Sequence, residues 1–139
     1  MINFINIEDF KNNNKNNYSL KGKVIHGRKI GRLIDFPTAN IIQSNDNLVP
    51  IPGVYAVKII QNNQIFFGMM NVGNKPTFND DNITMEVHIF DFQSEIYGEE
   101  IEVHFLKRMR NQLKFNTVEE LKNQLQEDKK NVLLYLPTT

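Results

Sequence analysis

Glu86 lies in the middle of an alternating run from Ile83 to Phe92. Met85, Val87 and Ile89 fall on one side of an extended chain there, and Glu86, His88 and Phe90 on the other. A carboxylate among aromatic neighbours is partly desolvated, which raises its proton affinity and suits it to general-base work. The same spacing fits a glutamate on the wet face of a half-buried strand. Earlier in the chain, Phe36-Pro37-Thr38-Ala39-Asn40 spaces two oxygen-bearing side chains, Thr38 and Asn40, so that both share one side of an extended segment. Hard cations such as magnesium take oxygen ligands and are often shared with substrate phosphates. The alternative is that Pro37-Thr38 starts a strand and Asn40 caps a turn.

The segment before these ligands, Gly22-Lys23-Val24-Ile25-His26-Gly27-Arg28-Lys29-Ile30-Gly31-Arg32, is rich in glycine and base. Such a loop can offer backbone N–H groups and positive charge to a polyphosphate, and a glycine-rich hairpin turn would use the same residues. It has neither the P-loop nor the dinucleotide-binding spacing. Asn71-Val72-Gly73-Asn74-Lys75-Pro76-Thr77-Phe78 reads as a strand closing in a turn. Arg110 and Phe115 stand between the last strand and the last helix, where a cation and an aromatic ring could clamp a planar ligand. In water, Arg110 would be a loop residue and Phe115 a staple at the helix entry. His26, His88 and His104 lack the short spacing of a zinc site, and no cysteine assists them.

The elements that must position these residues are mostly strands. Gly53 to Ile60 is rich in Val, Ile and Tyr and Ile65 to Val72 is similarly apolar, and Gln61-Asn62-Asn63-Gln64 between them suits a tight hairpin. Glu100 to Leu106 alternates again after a turn at Tyr97-Gly98-Glu99. The period then changes. Thr117-Val118-Glu119-Glu120 is a capping box, and Val118, Leu121, Leu125 and Val132 recur at helical spacing, predicting a helix through about Leu136. Short antiparallel strands followed by one helix suggest a closed β-barrel with the helix packed outside.

Upstream, Lys11 to Asn17 is mostly Asn and Lys and reads as a linker or frayed arm. Met1 to Phe10 could dock as a short helix or strand. The division expected is an arm over 1–17 and one domain over 18–139. The full 139 residues suffice for one core without staples. Sixteen basic residues balance sixteen acidic ones, so no global field points to nucleic acid or an anionic membrane. The absence of cysteine excludes disulfides and thiolate metal sites. No apolar run approaches the roughly 20 residues of a membrane-spanning helix. A cytoplasmic location is expected, with small-molecule partners and neither nucleic acid nor membrane.

Taken in order, the motifs resemble the riboflavin kinase (flavokinase) family. The matching pieces are Gly22-Lys23-Val24-Ile25-His26-Gly27, Phe36-Pro37-Thr38-Ala39-Asn40, Pro52-Gly53-Val54-Tyr55-Ala56, Asn71-Val72-Gly73, Pro76-Thr77-Phe78, Glu86-Val87-His88-Ile89-Phe90-Asp91-Phe92, Tyr97-Gly98 and Lys114-Phe115. The resemblance implies a mainly β fold, a six-stranded antiparallel Greek-key barrel with a C-terminal α-helix outside. It implies transfer of the ATP γ-phosphoryl group to the riboflavin 5′-hydroxyl, giving FMN and ADP. Glu86 would be the base, Thr38 and Asn40 the Mg²⁺ ligands, and Gly27, Arg32, His88, Phe90 and Tyr97 the rest of the nucleotide site. Arg110, Phe115 and Lys122 would form the flavin-side flap. In bacteria such a module usually follows an FMN adenylyltransferase domain, which would then be a partner absent from this sequence. Asp35 and Gln112 replace the family's usual Gly and Glu, and Glu95 stands where Asp is common. The other reading is a flavin-binding or regulatory barrel with impaired catalysis.

Overall fold

A computed structural model describes residues 3–25, 39–43, 48–74, 78, 82–91 and 98–136. In chain order the elements are β1 (Asn3–Ile5), α1 (Ile7–Asn14), β2 (Ser19–Ile25), β3 (Ala39–Gln43), β4 (Leu48–Pro50), β5 (Gly53–Gln61), β6 (Gln64–Asn74), β7 (Ile83–Ile89), β8 (Glu100–Asn111) and α2 (Val118–Tyr135). Six strands close into a barrel in the order β2-β3-β7-β6-β5-β8, every neighbouring pair antiparallel. β5, β6 and β7 form a meander and β8 returns beside β5, a Greek-key connection. The fold implied by the resemblance is the fold observed.

Strand alternation decides which side chains fill the barrel. Leu20 and Val24 of β2, Tyr55, Val57 and Ile59 of β5, Met70 and Val72 of β6, Met85, Val87 and Ile89 of β7, and Ile101, Val103 and Phe105 of β8 make one buried interior. Within each strand they fall two residues apart, or four in β2 where Gly22 takes the position between, as an inward-facing set must. The β5–β6 hairpin turns on Asn62 and Asn63, both in the left-handed region at φ 50° and 63°, which is what a two-residue turn matching the strand twist requires. Along β5 and β8 the pairing slips between Val54 and Tyr55 and again between Ala56 and Val57. These bulges increase the local twist and help bend the sheet shut.

The outer face of the barrel is covered on one side by α2. Val54, Ala56, Met69 and Phe90 from the strands meet Val132 in a second buried cluster, with Leu106, Met109, Leu121, Leu125 and Leu136 against it. Thr117 caps the helix, its hydroxyl accepting the Glu120 N–H at 3.1 Å. Glu120 returns the bond to the Asn116 N–H at 3.0 Å, one residue before the cap. A cap of this kind is worth about 1 kcal/mol.

Two expectations are corrected. Lys11 to Asn14 is not a frayed linker but the second half of α1. Composition over that short stretch hid a helix that starts upstream, where the Asn6 side chain accepts from the Glu8 and Asp9 N–H groups at 2.9 and 3.1 Å. Ile7 and Phe10 then anchor the helix to the barrel, Phe10 meeting Tyr18 edge-on at 5.4 Å. β1 pairs in parallel with β4, so the first residues also lie against the body, as docking of Met1 to Phe10 anticipated. The second correction is at Gly22 to Ile25. That first part of the basic segment belongs to β2, with Gly22 opposite Gln43 and Ile25 opposite Asn40.

Candidate active site

Glu86 is 7% exposed, so the wet-face alternative does not hold. Its direct neighbours across the sheet are Asn40 on β3 and Asn71 on β6. Residues opposite one another in an antiparallel pair share a face with Cβ atoms roughly 4.5–5.5 Å apart. Because Met85 and Val87 point into the barrel, this row lies on the outer face. It continues from Asn71 to Val54 on β5 and from Val54 to Arg110 on β8. One line thus crosses five strands, with an amide at its β3 end, an acid one strand in and a guanidinium at its β8 end. At roughly 4.8 Å per strand, Glu86 and Arg110 are roughly 14 Å apart along the curved sheet.

Asn40 is in extended backbone within β3, which settles its local conformation against the turn-cap alternative. Thr38, Gly27, Arg32 and Tyr97 lie outside the described residues, as do Asp35 and Glu95. Asn71 and Val72, read from sequence as the end of a strand, lie inside β6, which runs two residues further to Asn74 and carries Asn71 to Glu86.

His88 and Phe90 continue the Glu86 face, as alternation required, with ring centroids 5.5 Å apart and edge-on. β7 ends at Ile89, short of Phe92. Phe90 still donates its N–H to the Phe67 carbonyl at 2.8 Å, and the chain then turns at Asp91, φ 57°. Gly68 makes the close approach possible at this corner, since a Cβ there would collide with the His88 carbonyl. The Phe90 ring is buried beside α2, and Lys129 places its ammonium 5.5 Å from the ring centre.

Arg110 is a strand residue rather than a loop one, and it is held. Its Nε and Nη2 donate to the two carboxylate oxygens of Asp128 at 2.8 and 2.7 Å, and Nη1 donates to the Asn111 carbonyl at 2.9 Å. Gln124 donates to the same carboxylate at 2.9 Å. Asp128 is 3% exposed. Leu121, Leu125, Asp128 and Val132 follow one another at spacings of four, three and four, so the acid sits in the apolar stripe of α2. That is the signal by which the sequence advertised it: a charge on a buried stripe needs a partner. Phe115 is half-buried in the connection from β8, and Lys122 is half-buried on the second turn of α2.

Gln112 contributes more than the loss of a charge. Its amide accepts the Asn74 N–H at 3.2 Å and donates to the Asn74 carbonyl at 3.4 Å, tying the ends of β8 and β6 together. Inside the barrel, below the Arg110 end, Tyr55 donates its hydroxyl to the Ile51 carbonyl, and Arg108 donates to the Pro52 carbonyl and, at 2.6 Å, to Asn111. Burial pushes the Tyr55 phenol above its ordinary value, an effect that Arg108 partly offsets.

Fold and row together define a six-stranded Greek-key barrel with a sequestered acid–amide site beside one covering helix. The family model for riboflavin kinase matches residues 14–136, and the chain belongs to that family. A bifunctional riboflavin kinase/FMN adenylyltransferase from Listeria monocytogenes is 50% identical over 115 residues, covering 82% of this chain and 37% of that protein. The chain spans between 36% and 38% of the length of such relatives. Among solved structures, one described as a macrolide-efflux protein from Streptococcus pneumoniae superposes with a TM-score of 0.81 at 35% identity, covering 89% of this chain and 41% of that one. Riboflavin kinase from Trypanosoma brucei shares the fold with a TM-score of 0.59 at 20% identity, covering 87% of this chain and 80% of that one.

Proposed function

We propose that this chain is an ATP-dependent riboflavin kinase that transfers the γ-phosphoryl group of ATP to the riboflavin 5′-hydroxyl, giving FMN and ADP. The observation that carries the reading is the sequestered Glu86 carboxylate standing beside Asn40, in a chain that the family model matches over nearly its whole length. Phosphoryl transfer asks little covalent chemistry of a protein; it asks for an aligned nucleophile and neutralised charge. Glu86 supports the first by accepting the proton of the 5′-hydroxyl as its oxygen attacks phosphorus and the ADP oxygen leaves.

The donor set suits a hard cation. Asn40 offers a neutral amide oxygen on the same face as Glu86, and Thr38, two residues away in sequence, would add a hydroxyl. A magnesium ion held by these two residues and the nucleotide phosphates would neutralise charge on the transferring group. The polarity of the row supports a layout in which the phosphoryl donor takes the β3 side and the flavin the side of β8 and α2. Gly27, Arg32, His88, Phe90 and Tyr97 are assigned to the nucleotide, and Phe115 and Lys122 to the flavin, with Arg110 acting beside them. We assign only the kinase step to these residues. An adenylyltransferase domain, if the chain is part of a longer protein, would consume the FMN made here.

Among the described residues no helix is long and apolar enough to cross a membrane. We place the reaction in the cytoplasm, where both substrates are held. Incubating the purified chain with riboflavin and Mg·ATP and separating flavins chromatographically tests the reading. FMN accumulating in step with ADP is the expected result. Flavin binding without FMN formation would reduce the protein to a flavin-binding barrel, and the kinase reading would be lost.

A further inference from the structure

We propose that Asp128 is a positioning residue for the flavin half of this site, acting through Arg110 to fix where helix α2 sits on the sheet; this rests on the riboflavin kinase reading above. Three observations converge. First, apart from two cation–ring contacts, Lys129 over Phe90 and Lys107 of β8 over Tyr135 at the helix's last turn, α2 otherwise meets the barrel through apolar side chains, Leu121, Leu125, Val132 and Leu136 against Val54, Ala56 and Met69. Aliphatic contacts of this kind supply affinity without direction, and a helix held only by them can rotate or slide by small amounts.

Second, the pairing of Asp128 with Arg110 is directional. Two parallel N–H···O bonds at 2.8 and 2.7 Å fix both distance and angle, as a fork-shaped donor on a carboxylate does. Gln124, one turn earlier, holds the carboxylate's rotation. Arg110 is itself in β-ladder register with Val54, and through Val54 and Asn71 with Glu86. The helix is therefore pinned to the same row of residues that carries the acid.

Third, the next residue makes a second attachment. Lys129 lies over the Phe90 ring, and Phe90 follows β7, the strand of Glu86, by one residue. Consecutive residues of α2 thus grip β8 and the end of β7, on opposite sides of the strands β6 and β5. A grip at two separated points, Arg110 on the Glu86 row and Phe90 just past the end of β7, sets the position of α2 along and around the barrel. It thereby sets Lys122, earlier on the same helix, and Phe115, just before the helix begins, relative to Glu86. Arg110, with all of its N–H-bearing nitrogens already bonded to protein, is the means of this attachment.

The test compares the wild type with Asp128→Asn, Asp128→Glu and Val132→Ala. The last loosens the same helix by removing buried apolar volume and leaves the ion pair in place. Riboflavin affinity is read by quenching of flavin fluorescence, and kcat and both KM values by FMN formation. Asp128→Asn is expected to weaken riboflavin binding and raise its KM about ten-fold with the KM for ATP unchanged, Asp128→Glu to restore most of the loss, and Val132→Ala to lower the melting temperature without moving riboflavin KM. If Asp128→Asn changes riboflavin KM no more than Val132→Ala does, or raises the KM for ATP equally, Asp128 is only structural and the inference falls. A wild type that binds riboflavin but makes no FMN would sink the kinase reading and leave the affinity comparison to decide this one. A wild type that binds no riboflavin would overturn both.

Discussion

Glu86 on β7 and Asn40 on β3 are directly opposed across an antiparallel pair, so the site's acid and one candidate magnesium ligand are neighbours on a single face of the barrel. Forty-six positions of sequence separate them. The barrel brings them together through a pairing of β3 with β7 that only two residue pairs in the described strands define. That juxtaposition is what a phosphoryl transfer needs, with proton acceptance and charge neutralisation meeting at the attacked phosphorus.

Replacing Glu86 with Gln keeps the side chain's size and removes its capacity to take a proton. Turnover should fall by two to four orders of magnitude, roughly the range general bases contribute, while riboflavin affinity by fluorescence quenching stays within about two-fold. Near-normal kcat in the variant would remove Glu86 from the role of base.

Asn40→Ala should act on the other half of the site. Loss of a neutral oxygen ligand weakens metal and nucleotide together, so half-maximal activity should require several-fold more magnesium, roughly a ten-fold loss being typical of one weak ligand. Riboflavin affinity measured without nucleotide should not move. An unchanged magnesium titration would count against Asn40 as a ligand.

How much of this was legible in the sequence differs between elements for physical reasons. β5, β6, β7 and β8 announced themselves because two-residue alternation, or a dense β-branched run beside an Asn-Asn turn, directly encodes a strand. α2 did so through its capping box. The second half of α1 did not, because its stability comes from the Asn6 cap and from Ile7 and Phe10 docking on the barrel, none of which lies in Lys11–Asn14. Alternation also placed Glu86, His88 and Phe90 on one face, but it could not say whether that face was wet. Burial of Glu86 depends on closure of the barrel and on what covers its outside, which is tertiary information. The partner of Arg110 was missed although Asp128 interrupts an apolar stripe, because the stripe was read for its hydrophobic members alone.

Gln112→Glu, which restores the charge common in the family, should destabilise this chain. The side chain would still accept the Asn74 N–H but could no longer donate to the Asn74 carbonyl, and would set a negative charge against it. The position is exposed, so the loss should stay at or below about 1 kcal/mol, seen as a drop of about 3 °C in melting temperature. A rise in melting temperature would show that the two-way amide contact contributes nothing.

Tyr55→Phe probes the interior beneath the Arg110 end, and its effect should depend on pH with a definite sign. Burial holds the phenol's pKa in the folded chain above the unfolded value of about 10. Below pH 10 the phenol is protonated in both states, and its contribution is fully present. As pH rises past 10 the unfolded chain ionises first, so the folded state is progressively disfavoured up to and through the raised pKa. The variant lacks this titration but loses the hydroxyl's bond to the Ile51 carbonyl, a cost of about 1 kcal/mol at neutral pH. Urea unfolding of both proteins from pH 8 to 11 should therefore show the variant less stable at pH 8, with the gap constant to near pH 10 and closing above it. Lysines titrating over the same range act equally on both chains and cancel in the difference. A gap that widens above pH 10 would mean that the folded state favours the phenolate, with Arg108 outweighing burial.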